Sequence, residues 1–150
     1  MTIATDDNTG EVILINASDI EPKAPPTAAE LIAEVEARYP DLDASGFLDG
    51  SRTPSAKLSA AHCGFATAIA FIRAHAAGAH RQRQGYYSYV LKHTAEKWTE
   101  TDDGPGYEYV SNGAMIAAAI ASGWSVRRVD GINAWLKPPL PLWRRPWPAD

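Results

Sequence analysis

The sequence predicts an α+β protein, a single domain in which three to four helices pack on a small antiparallel sheet, with a β-α-β-β unit at its C-terminal end. Three observations predict it. The stretch from Tyr107 to Pro138 carries strand, cap, helix, stop and hairpin signals one after another without a gap. Stretches opening near Thr27, Thr53 and Ser88 each combine a helix-start residue with apolar residues at helical spacing. The run Val12-Ile13-Leu14-Ile15 is short and largely β-branched, as a strand requires.

Taken in order, residues 1–26 read as an N-terminal arm with one strand and a proline-rich linker. Residues 27–137 form the globular core, and residues 138–150 form a tail rich in proline, tryptophan and arginine. Residues 1–10 lack periodicity and are expected to fray. Residues 11–16 form the strand, with the C-terminal hairpin as a candidate partner. Thr27-Ala-Ala-Glu30 has the spacing of a capping box, and Leu31, Ile32, Val35 and Tyr39 then share one stripe until Pro40 ends the helix. Thr53-Pro54 supplies a cap and a first-turn proline for a long helix ending near Ala77, expected to be the central one. Ser88 caps a third helix to about Thr99, with Tyr87 or Val90, Leu91, Thr94 and Trp98 on its buried side and Lys92–Glu96 as a surface pair. Tyr107 to Val110 reads as a strand, Ser111 or Asn112 as the cap of a helix over 113–122, and Gly123 as its stop. Two strands, 124–129 and 132–137, flank a two-residue Asp130-Gly131 turn.

With 150 residues and 45% apolar content the chain can bury an ordinary core without staples. The single cysteine, Cys63, excludes an intramolecular disulfide and any C-x-x-C zinc pair. No apolar stretch approaches a bilayer-spanning length and the first residues are acidic, so a cytoplasmic protein is expected. The net charge of −4 is unevenly spread: residues 1–50 carry −9, 51–99 carry +6 and 100–150 carry −1. Such segregation fits a nucleic-acid face, an acidic segment covering a basic one, or two solvated surfaces.

Four stretches are candidates for chemistry. Asp41 to Arg52 resembles the calcium loop of EF-hand proteins, with oxygen side chains at its first, third, fifth and ninth places and glycine at its sixth. The twelfth place, a glutamate in that family, is Arg52, so a polar loop satisfying its own backbone is the alternative. His62-Cys63 lie on adjacent helical positions about 100° apart, the wrong geometry for a dyad, and Cys63 reads as a buried small hydrophobe. Arg73, His80, Arg81, Arg83, Tyr86 and Tyr87 interleave cations with aromatic rings, as phosphate neutralisation and base stacking would use. His75 and His80 have no third partner at metal-ligand spacing. Finally, Tyr89, Lys92 and His93 could meet Ser111 and Asn112 at the amides of the 113–122 helix and form an anion-binding polar site. The structural reading of the same residues makes Lys92 a surface charge and His93 a boundary histidine.

The blocks Tyr87-Ser88-Tyr89, Leu91-Lys92-His93 with Glu96 and Trp98, Tyr109-Val110-Ser111-Asn112-Gly113, Ile116 to Ala119 and Gly123-Trp124 resemble a pattern in short uncharacterised proteins of phages and integrative elements. The resemblance spans residues 87–137. It implies a mobile-element origin and assigns no catalytic residue. In the tail, Trp143, Arg144, Arg145 and Trp147 lie among five prolines that enforce extended geometry, suited either to a strap on the domain or to a ligand for a partner.

The function expected from these features is that of a non-enzymatic binding or accessory protein of a mobile element, contacting nucleic acid or a host protein. No cofactor, metal or membrane is implied. A helix-turn-helix is disfavoured, because Trp124 to Val129 reads as a strand where a recognition helix would stand. The alternative is a small enzyme using the polar site at the helix N-terminus.

Overall fold

The structure is a computed structural model that describes residues 2–5, 12–15, 24–75, 85–101, 104, 106–129 and 131–139. Its fold class is the expected one, α+β with small antiparallel sheets. Strands β1 (Thr2–Thr5) and β2 (Val12–Ile15) pair with each other, Thr2 opposite Ile15 and Thr5 opposite Val12. They form a separate two-stranded sheet, so β2 does not join the C-terminal hairpin, and Thr2–Thr5 is a strand where fraying was expected.

Helix α1 (Ala28–Arg38) begins with the capping box. The Glu30 amide donates to Thr27 Oγ1 at 3.2 Å and the Thr27 amide donates to Glu30 Oε2 at 2.7 Å. The Thr27 amide and, at 3.1 Å, the Thr27 hydroxyl both donate to Glu30 Oε2 and hold the Glu30 carboxyl below its ordinary range. Ile32 and Val35 carry the buried face. A minimal hairpin follows, β3 (Leu42–Asp43) against β4 (Gly46–Phe47).

Residues 53–57 remain outside any helix, so Thr53-Pro54 does not open one. A 3₁₀ turn at Leu58–Ala61 leads instead into α2 (His62–His75), and the Ser59 amide is taken by Glu36 Oε2 at 2.8 Å. A carboxylate from α1 thus does the anchoring that sequence assigned to a local threonine.

Strand β5 (Tyr86–Tyr87) runs directly into α3 (Ser88–Thr99). Ser88 is the first helical residue rather than the cap. Its buried Oγ accepts from the Ala134 amide at 3.1 Å, tying the helix to the sheet. The buried stripe is Ser88, Leu91, Lys92, Ala95 and Thr99, one position out of phase with expectation, and Val90 and Thr94 face outward.

The centre of the molecule is α4 (Asn112–Ala121), not α2. Every residue from Asn112 to Ile120 is buried, and α1, α2 and α3 all pack against it. A helix that is apolar all round belongs inside. Ser111 caps it, accepting from the Ala114 amide at 3.1 Å. It ends as predicted at Gly123 (φ 79°), where Trp124 N–H donates to Ala119 O at 2.9 Å and Gly123 N–H to Ile120 O at 3.0 Å, the Schellman arrangement.

Strands β6 (Ser125–Arg128) and β7 (Ala134–Lys137) form the C-terminal hairpin, and the sheet order is β5-β7-β6. Arg128 pairs with Ala134, so the connection is wider than the two residues predicted. Tyr107 to Val110 joins no sheet. β5 supplies the third strand in its place, and the C-terminal unit is α-β-β plus a strand from earlier in the chain.

Candidate functional site

The predicted polar site is half assembled. Tyr89, Lys92 and His93 converge on one face of α3, but their centre is Glu96, which sequence placed on the surface. Glu96 Oε1 accepts from Lys92 Nζ at 3.3 Å and from the Val110 amide at 3.1 Å, while Oε2 lies 2.7 Å from His93 Nδ1. Lys92, only 6% exposed, also donates to the Val110 carbonyl at 3.3 Å. Its ammonium lies 5.4 Å from the Tyr89 ring centre and 5.1 Å from that of Tyr109, a cation held between two π faces. Burial pushes the Glu96 carboxyl up, but the Val110 amide, His93 and Lys92 together outweigh it and hold it below the usual carboxylate range. His93 keeps part of its ring exposed, edge-on to Tyr89 at 4.6 Å.

Ser111 and Asn112 belong elsewhere. Ser111 Oγ is the cap of α4, and Asn112 Nδ2 donates to the carbonyls of Ser45 (3.2 Å) and Ile132 (3.0 Å). The first amides of α4 are spoken for: Gly113 N–H donates to Ala44 O at 3.1 Å and Ala114 N–H to Ser111. The β3–β4 turn lies so close that a Cβ on Gly113 would collide with the Asp43 carbonyl. The anion site expected at this terminus is therefore filled by protein backbone.

The Asp41–Arg52 loop resolves in the same way. Arg52 sends two nitrogens to the two oxygens of Asp43 (2.8 and 3.0 Å) and a further bond to Gly46 O (3.0 Å). Asp43 also accepts from the amides of Ser45 (2.9 Å) and Ser55 (2.8 Å). The guanidinium occupies the place a calcium ion would need. Burial raises the Asp43 carboxyl, yet the bonds from Arg52, Ser55 and Ser45 prevail and lower it to about 2. Among the described residues no group of three or more His, Cys, Asp or Glu could hold a metal ion.

Of the proposed nucleic-acid contacts, Arg73 is exposed on the last turn of α2, whereas Tyr86 and Tyr87 are half-buried in β5. Tyr86 lies 6.1 Å from the Trp124 ring and Tyr87 lies 5.5 Å from Trp135, so these rings pack within the protein. His80, Arg81 and Arg83 lie outside the described residues, as do Trp143, Arg144, Arg145 and Trp147 of the tail. Cys63 is exposed rather than buried. It borders a cavity of about 370 Å³ together with Ser55, Glu108 and Ser111.

A feature that no local pattern announced is an apolar groove of about 550 Å³ between α2, α3 and the start of the C-terminal sheet. One wall is an aromatic triad. Phe71 lies 4.6 Å from His75 and 5.8 Å from Trp98, and His75 meets Trp98 edge-on at 5.7 Å. The opposite wall is the Tyr86–Trp124 pair, with Val90 and Leu91 along α3 between them. The volume lies in the range of ligand and peptide pockets, and lining of this kind binds by shape and apolar contact.

Comparison of the chain with protein-family models, with curated proteins and with solved structures found no match. Among the described residues no helix is long and apolar enough to cross a membrane.

Proposed function

We propose that this chain is a non-enzymatic binding or accessory protein of a mobile genetic element, and that its docking surface is the aromatic groove. The partner is a protein segment in extended conformation, carrying proline and large apolar or aromatic side chains. What carries the reading is the groove itself: six rings, Phe71, His75, Tyr86, Tyr87, Trp98 and Trp124, line one depression. Aromatic-lined grooves receive polyproline-type segments because such segments reach the bound state already extended and lose little entropy. The mobile-element origin rests on the resemblance of residues 87–137 and predicts a coding sequence lying among integrase or phage genes. A locus surrounded by housekeeping genes would count against it.

Titrating the full chain with proline- and tryptophan-bearing peptides should move the indole N–H resonances of Trp98 and Trp124, and Trp98→Ala should weaken binding at least tenfold. Unmoved indole signals across such a peptide set would sink the reading. A salt-sensitive mobility shift with duplex or single-stranded DNA would favour nucleic acid instead.

A second reading is favoured by the His93–Glu96 pair. An imidazole held at Nδ1 by a carboxylate, with its other edge toward solvent, is the arrangement of a general base. On that reading His93→Ala abolishes function without unfolding the protein.

A further inference from the structure

We infer that the groove's occupant in the free protein is the chain's own C-terminal tail, residues 140–150, so that an outside partner must displace it. The inference rests on the reading of the groove as a receiver of extended apolar peptide. Three observations support it.

The first is where the described chain ends. β7 places Leu136 opposite Tyr86 on one side and Val126 on the other, with Lys137 opposite Ser125. Tyr86 and Trp124, the residue before Ser125, form one groove wall. The chain therefore leaves its last strand beside that wall. Pro138, just past the strand, is buried, and the Gly85 backbone lies so close that a Cβ on it would stand 2.6 Å from the Leu136 carbonyl oxygen.

The second is reach. Along α3 the groove runs from Val90 to Trp98, roughly 12 Å at about 1.5 Å per residue. Residues 140–147 in polyproline geometry extend roughly 25 Å at about 3.1 Å per residue. The tail is long enough to turn into the groove and run its length.

The third is chemistry. Leu140, Leu142, Trp143 and Trp147 supply large apolar side chains, and the prolines at 141, 146 and 148 favour the extended geometry that such a groove receives. Two tryptophans left in water on a small protein would form an adhesive surface, and an aromatic groove beside their point of departure removes it. Tethering also places the tail at an effective concentration of about a millimolar, enough to compete with a free peptide of micromolar affinity.

The test uses the full chain in a Cys63→Ser background with a nitroxide attached at Pro148→Cys. Docking in cis should broaden the Trp98 and Trp124 indole resonances independently of protein concentration. Absence of broadening, or broadening that scales with concentration, would overturn the inference, the latter pointing to a second copy. In parallel, a synthetic peptide of residues 138–150 is titrated into the wild-type chain and into a Trp143→Ala/Trp147→Ala chain. Binding at least tenfold tighter to the double variant supports occupation by the tail. Equal affinity for both chains defeats that inference and leaves the peptide-binding function standing. No binding to either chain defeats both.

Discussion

Two carboxylates in this molecule do the same local work and end in different places. Asp43 and Glu96 each accept backbone amides and each pair with a cation. Around Asp43 the partners close on themselves: Arg52 chelates both oxygens, and the loop becomes a largely buried knot against α4. Around Glu96 the inner partners, Lys92 and Val110, are buried, but the outer one, His93, keeps one edge in solvent. The difference teaches that a charged constellation reads as a site only when one member keeps an edge open to solvent. The first cluster is closed over by the Arg52 guanidinium, while the second leaves the outer edge of an imidazole in solvent.

The comparison can be broken most forcefully at Arg52. Arg52→Ala leaves a buried carboxylate without its cation, and a loss of about 3 kcal/mol in urea unfolding is expected. A loss under 1 kcal/mol would mean that the loop does not depend on the pair. Acid probes the same pair from the other partner. The Asp43 carboxyl is lowered from 3.8 to about 2, so its contribution is complete above the unfolded value and is lost as pH falls through about 2. At about 1.4 kcal/mol per unit this amounts to roughly 2 kcal/mol. Glu96, also lowered, adds to the acid loss in the same direction. Asp43→Asn should therefore show a shallower decline in melting temperature between pH 4 and pH 2 than wild type. The smallest effect belongs to the open edge of the second cluster: His93→Ala should cost less than about 1 kcal/mol, as an exposed partner does. A larger fall would place His93 among the architectural groups and remove the contrast with Arg52.

What the sequence made legible was mostly local. The Thr27 capping box, the Ser111 cap and the Gly123 stop each involve residues within one helical turn, and all three stand in the structure. What it concealed depends on distant approach. Arg52 looked like a spoiled calcium ligand because an EF-hand loop and an arginine-closed loop both need aspartates converging on one point, and only the fold shows which cation fills it. Glu96 looked like half of a surface pair until Val110, fourteen residues on, supplied its amide. Ser88 looked like a cap because its partner, Ala134, lies 46 residues away in β7. The groove takes its walls from two helices, β5 and Trp124, and no window of the sequence contains it.

Asn112 has a consequence for how the protein folds as well as for how it stands. Its amide joins Ser45, 67 residues away, to Ile132, 20 residues away, so the clamp cannot close until the β3–β4 turn and the C-terminal hairpin have both arrived. Interactions that need both arrivals are expected to lie outside the folding nucleus. They slow escape from the native state rather than hasten entry. Asn112→Ala should accordingly raise the unfolding rate and leave the refolding rate almost unchanged in stopped-flow measurements. An equal drop in the refolding rate would move this junction into the folding nucleus. On the first outcome, the residue that sequence assigned to ligand binding is a latch that sets how long the native state lasts.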